Sequence, residues 1–357
     1  MKLNHSGKVF LPGQFNQQKL EELKNGNHNL EVIDLIKSRQ LEELAGLKIG
    51  NESEAVEELE AKYKDQFFSG AWVHLPWRNQ LVRLAEQDDF ASLITNRNRE
   101  LITVKEQAKL ASQVVGIAGL SVGAGIAQAV ARSCAPKVLK IADYDTVDTT
   151  NLNRLNTSFA DVGQPKIDVL ARQIFEINPY IEVQPFADGL DDNNIDAFFN
   201  GGQSLTLAID EIDDFYMKLR IRQEARKNQV PVIMMTSLGD NVLVDVERYD
   251  TEEPQVFNGV FGDTTEQEME NILKNEDPKS LAIRLVDKKY VPIRAIESVG
   301  LIGKTLSGRP QLYTTILIDS GLSAFLLKRI VLYELPSGRY FVNMAKLFGL
   351  EDDLDAS

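Results

Sequence analysis

Residues 113–145 read QVVGIAGLSVGAGIAQAVARSCAPKVLKIADYD. The run VVGIAGL is short, continuous and apolar, as suits a strand buried on both faces of a sheet. A helix of small residues follows in GAGIAQAVARSCA, and a second apolar strand, KVLKIADYD, ends on acids. Strand, glycine-rich turn, helix and strand make a βαβ unit. Outward from it the alternation continues: a helix from Lys166 to Asn178, an extended IEVQPFAD, a strand in SLTLAID, a helix in DDFYMKLRIRQEARKNQ and a strand in VPVIMMTS. Val/Ile/Leu-rich strands alternating with helices of about 10–15 residues predict a doubly wound α/β fold with a mostly parallel sheet.

The flanks read differently. Residues 1–94 form a mainly helical N-terminal region, with NESEAVEELEAKY (residues 51–63) at helical spacing. The aromatic cluster QFFSGAWVHLPW follows, in which Pro76 breaks any helix, and Trp72 and Trp77 are assigned to a small core. Residues 95–250 are the nucleotide-binding domain, and 251–357 complete it or form an interface. Within the last part, TTILIDSGLSAFLLKRIVLY is interrupted by Asp319, Lys328 and Arg329, which predicts a buried helix and not a membrane span. At 357 residues the chain has room for one large domain and a smaller one.

Net charge is −14, from 53 acidic and 39 basic side chains, so the surface opposes general nucleic-acid binding. An anionic nucleotide therefore needs a few cations placed at its site. The one cysteine, Cys134, excludes an internal disulfide and a cysteine-built zinc site, and fits a reducing cytoplasm. The opening MKLNHSGKVFLPG lacks the apolar core of a signal peptide. A cytoplasmic protein is expected.

The chemistry gathers at the strand ends. In the turn Gly119-Leu-Ser121-Val-Gly123-Ala-Gly125, glycines let backbone approach a phosphate, and the helix start offers free N–H groups. Asp143, roughly 20 positions after the turn, is placed to receive ribose hydroxyls. Asp145, Asn151 and Arg154 follow closely. A dinucleotide site needs no such Asn and Arg, so these residues argue for a triphosphate.

ADYDTVDTTNLNRLN, then Val162-Gly-Gln-Pro-Lys166, then Asn178-Pro179 and Asp210-Glu-Ile-Asp213 resemble, in order and spacing, the ThiF family. That family includes sulfur-carrier adenylyltransferases and ubiquitin-activating enzymes. The resemblance covers about residues 96–245 and implies a Rossmann-like, ATP-binding fold. It also implies roles: Asp143 for the ribose, Asn151, Arg154 and Lys166 for the triphosphate, and Asp213 for Mg²⁺. Asp213 is open to a second reading as a helix N-cap, and Asp210 to one as a support of the turn. Upstream, Asn96-Arg-Asn-Arg99-Glu-Leu101 looks like the family's arginine-finger segment. There Arg99, with Arg97 as fallback, would reach a neighbour's ATP in a homodimer.

Two departures qualify the carry-over. Ser121 and Val122 replace two family glycines, and this GLSVG variant resembles a bacterial branch sometimes joined to a nitroreductase-like domain. No cysteine follows Cys134, so the thioester step of ubiquitin-type relatives is not expected, nor is their zinc. The implied activity is ATP-dependent adenylation of a carboxylate, on a ubiquitin-like protein C-terminus, a peptide or a small molecule. The alternative is a non-adenylating protein that holds NAD or FAD, or regulates a complex.

Overall fold

A computed structural model of the chain describes residues 7–47, 53–64 and 66–351. It divides into two units, Lys2–Ala108 and Lys109–Ser357.

The first unit holds β1 (Lys8–Phe10), α1 (Gln17–Gly26), β2 (Glu31–Asp34), α2 (Leu41–Leu47), α3 (Ser53–Tyr63), β3 (Ala71–Leu75), β4 (Gln80–Leu84) and α4 (Gln87–Ile94). Helices cover more of it than strands, as expected, yet the strands form a sheet in the order β1-β3-β4-β2, which the sequence reading did not anticipate. The aromatic cluster is in fact half of an antiparallel pair. Pro76 opens the turn between β3 and β4, and Asn79 closes it with φ of 52°. Trp72 is fully buried and stacks on Phe15 with ring centroids 4.9 Å apart, whereas Trp77 is half-buried. Asn51 and Glu52, at the start of the predicted helix, lie outside the described residues. Arg83, inside β4, is buried because every arm of its guanidinium is used. It donates to the carbonyls of Ser69, Tyr63 and Gln66 and pairs with Asp34 at 2.9 Å.

In the second unit the predicted alternation appears as β5 (Val114–Ala118), α6 (Gly123–Ser133), β6 (Val138–Ala142), α7 (Lys166–Ile177), β7 (Glu182–Phe186), α8 (Ile195–Asn200), β8 (Leu207–Asp210), α9 (Phe215–Asn228) and β9 (Val232–Leu238). Before it, α5 (Val104–Ala111) runs across the unit boundary. Only α8, six residues long, was not foreseen. Beyond β9 come β10 (Asn241–Glu247), α10 (Glu266–Asn275), α11 (Pro278–Val286), α12 (Ile293–Ser298), α13 (Tyr313–Leu332), β11 (Gly338–Val342) and α14 (Met344–Leu347).

The sheet order is β11-β10-β9-β8-β5-β6-β7. Pairing is parallel from β9 through β7, and β10 is antiparallel to both of its neighbours. All five residues of β5 and of β6 are buried, which explains their unbroken apolar sequence. The exception is Lys140. Its ammonium donates to the Phe198 carbonyl at 2.9 Å and the Gly201 carbonyl at 2.8 Å, and so satisfies the C-terminus of α8. The small residues of α6 let α13 approach: a Cβ on Gly125 would lie 2.6 Å from Ser320 Oγ. Among the described residues, no helix is long and apolar enough to cross a membrane.

Behind the end of β8 lies a buried ionic cluster. Asp210 pairs with Lys218 at 3.2 Å and Arg222 at 2.5 Å, and Arg222 also meets Glu247 at 2.7 Å. Burial alone opposes the charge on Asp210, but the Lys218 and Arg222 charges outweigh it and hold its carboxyl below the usual range. The Arg222 guanidinium also lies 4.3 Å from the centre of the Phe257 ring. Of the two readings left open for Asp210, the structure supports the structural one.

Candidate nucleotide site

β5, β6 and β7 run toward one edge of the sheet, while β8 and β9 run toward the other. The direction of winding therefore reverses between β5 and β8, where the loops after two parallel strands diverge and leave a crevice. Gly119 follows β5 and Glu211 follows β8. Gly119 adopts φ of +88°, and a Cβ there would sit 2.3 Å from the Glu211 carbonyl oxygen. Only glycine lets the two loops meet. Gly123 has a different task from the phosphate contact expected of it: a Cβ would lie 2.9 Å from Ile117 Cγ2, so it seats α6 on β5.

Asp143 stands at the end of β6. Its carboxylate accepts the Leu120 N–H at 2.6 Å and the Asp145 N–H at 2.7 Å, bracing the glycine turn. Each oxygen keeps a further lone pair for a ligand hydroxyl. Burial raises its pKa, with the nearby Lys166 charge pulling the other way. Lys166, buried at the start of α7, pairs with the half-exposed Asp145 at 2.7 Å. Asn151 is buried, and its Oδ1 accepts the Asp148 N–H at 3.0 Å. Its primary role visible here is thus to cap its own turn, although its amide N–H₂ makes no hydrogen bond among the described residues.

Arg154 Nε points at Ser121 Oγ from 3.4 Å, and Nη1 donates to the Thr150 carbonyl at 2.9 Å. Burial lowers its pKa most, the Asp213 charge opposes that, and Arg309 adds to it. Those charges mark the surroundings: Ser121, Arg154, Asp213, Glu211, Lys218 and Arg309 all line one cavity of about 260 Å³. Asp213 is exposed and its carboxylate has no partner among the described residues. It is not the N-cap of α9. Asp214 takes that role, accepting the Met217 N–H at 2.7 Å. Arg99 and Arg97 belong to the first unit, where both side chains are exposed.

Sequence reasoning missed Glu211 and Arg309. Glu211 hides inside the matched D-x-x-D pattern, with its Oε1 accepting the Met235 N–H at 2.9 Å. Arg309 sits in the Gly/Ser/Pro-rich loop before α13, where no local pattern distinguishes it. Beside them, Asp319 of α13 accepts the Ser237 hydroxyl at 2.5 Å, and burial pushes its carboxyl up to about 7. A carboxyl near 3.9 when unfolded and near 7 when folded binds extra protons in the native state between those values, so stability falls as pH rises through that window. Asp319→Asn, which can still accept from Ser237, is expected to remove a fall on the order of 3–4 kcal/mol between pH 4 and pH 8. Urea unfolding of both proteins across that range measures the difference, and parallel curves would refute it.

The arrangement agrees with the family comparison. A model of the ThiF family matches residues 95–274, half of the chain. The chain belongs to the ThiF family. The protein MT1398 of Mycobacterium tuberculosis, itself named uncharacterized, is 36% identical over 77% of this chain and 38% of its own length. The tRNA threonylcarbamoyladenosine dehydratase of Bacillus subtilis is 35% identical over 38% of this chain and 51% of its own. The molybdopterin-synthase adenylyltransferase of Salmonella typhimurium is 29% identical over 42% and 59%. The chain thus spans between 38% and 59% of these ThiF-type relatives. No group of three or more metal-ligating side chains occurs among the described residues. A nucleotide-bound Mg²⁺ does not require one, because phosphates and water supply most of its ligands.

Proposed function

We propose that this chain uses ATP to adenylate a carboxylate, and that the cavity at the strand reversal is where it does so. The single observation that carries the reading is the convergence of Arg154, Ser121 and the unpaired Asp213 on that cavity, next to the Gly119 turn. A carboxylate oxygen attacks the α-phosphorus, the new P–O bond forms, and the bond to the β-phosphate oxygen breaks. Its electron pair leaves with pyrophosphate. Arg154 and Lys166 stabilise the charge that builds on the phosphates, and the fixed backbone of the turn orients them. Asp143 keeps lone pairs for the ribose hydroxyls. Asp213 fits a magnesium ion held by one carboxylate and the nucleotide, and such an ion neutralises phosphate charge.

A homodimer with Arg99 acting as a finger from the second copy belongs to this proposal, as does a cytoplasmic setting. The acceptor carboxylate is a peptide or protein C-terminus or a small acid. The names of the relatives include a tRNA dehydratase, but the net charge of −14 weighs against a tRNA partner here.

Thermal shift with MgATP tests the reading, with NAD and FAD as controls. A shift with MgATP alone is expected. Lys166→Ala should weaken MgATP binding about 10- to 100-fold, the worth of a hydrogen bond to a charged group. Its pairing partner Asp145 is half-exposed, so the fold should tolerate the change. Arg99→Ala should slow ATP–pyrophosphate exchange while leaving the rest of the site intact. A response to NAD or FAD in place of ATP would overturn the proposal.

A further inference from the structure

A second cavity, about 220 Å³, opens beside the nucleotide cavity. Ser237, Ala282, Val286 and Arg309 line both, so the two are continuous. The second is walled by Ile283, Val291, Ala295, Ile296, Val299 and Ile302, from α11, α12 and the loops beside them. Its ionisable lining residues are Lys279 and Arg309, both cations, in a chain whose net charge is −14. Arg309 is exposed at the shared mouth, close enough to act on the charge of Arg154, and its guanidinium has no partner among the described residues.

We propose that this cleft holds the apolar tail of the substrate acid, with the carboxylate at Arg309 facing the nucleotide. The inference rests on the adenylation reading and narrows it. The substrate class is a carboxylic acid carrying an aliphatic or aromatic chain, free or as the last residue of a peptide. A bare polar acid leaves the cleft wet and gains nothing from it. An apolar acid gains burial at one end and a charge-assisted contact at the other. Pre-placement of the carboxylate beside Arg154 then favours attack on the α-phosphorus.

The test uses the full chain saturated with Mg²⁺ and α,β-methylene-ATP, which cannot be cleaved at the reacting bond. Acetate, butanoate, hexanoate and octanoate are titrated by calorimetry, with 1-octanol as the neutral control. Affinity should rise about fourfold per added methylene until the cleft is full. Arg309→Met should weaken octanoate at least tenfold and leave octanol unchanged. Ala295→Trp should flatten the series, while binding of the ATP analogue in the same samples reports that the protein is folded.

A flat series in the wild-type chain, or an unaltered slope in Ala295→Trp, would overturn the proposal. So would self-association of the wild-type chain that octanoate fails to displace and Ala295→Trp abolishes, because the cleft would then belong to a second copy. The two readings fail separately. An analogue that binds beside a flat series removes the cleft proposal alone. An intact series without any ATP response removes adenylation and leaves an apolar-acid site.

Discussion

Gly119→Ala is expected to abolish the MgATP response and to destabilise the chain by about 2–4 kcal/mol, from left-handed strain plus overpacking. Two costs coincide at this residue. Its φ of +88° is open to glycine and unfavourable for alanine. The new methyl would also lie 2.3 Å from the Glu211 carbonyl oxygen and 2.5 Å from its carbonyl carbon. Both neighbours are backbone, so neither can rotate away. The loops after β5 and β8 must part, and the turn that faces the phosphates moves with them. Gly163→Ala is the matched control. It has φ of +85° but nothing within 4 Å of a Cβ, so it should lose only the strain term. Urea unfolding and MgATP titration of both variants separate the two costs. Equal losses of stability would mean that contact between the loops contributes nothing.

The second large effect is at Arg222. Arg222→Met should cost about 3–5 kcal/mol, because Glu247 loses its cationic partner and Asp210 loses one of two while both remain buried. For a unit of this size that is a fall of roughly 10 °C in melting temperature. The neutralised triple change Asp210→Asn, Arg222→Met, Glu247→Gln should recover much of the loss, since no uncompensated charge is left inside. If the triple variant melts as low as the single one, the penalty comes from packing around Phe257 and not from charge.

These residues also show what a sequence discloses. The parallel strands were legible because burial on both faces forces unbroken apolar runs, as in VVGIA of β5 and VIMMTSL of β9. Asp143, Arg154, Lys166 and Asp213 were legible because fixed spacing in a βαβ frame carries them to the same end of the sheet. The sheet of the first unit was not. Its strands are three to five residues long, and β4 hides a buried arginine whose partners come from Asp34, Tyr63, Gln66 and Ser69. Asn151 and Gly123 kept their predicted places but serve local capping and packing, which spacing alone does not distinguish from ligand contact. Arg309 was out of reach for another reason. Its neighbours at the cavity are remote in the chain, and only the folded path of the loop before α13 brings it there.

One end of the large sheet has a bearing on how copies of the molecule can associate. Among the described residues no strand pairs beyond β7, and β7 carries Pro185, which has no N–H to give. Glu182 and Gln184 add polar side chains to the same short strand. A newcomer strand therefore meets an interrupted ladder on that side, whether it comes from a second copy or from an unfolded chain in a crowded solution. Sheet extension is left to the far side, along β11, where Gly338–Val342 pairs with β10 on one flank only. Growth by strand addition is thus polar: one border of the sheet is closed to it and the other is open.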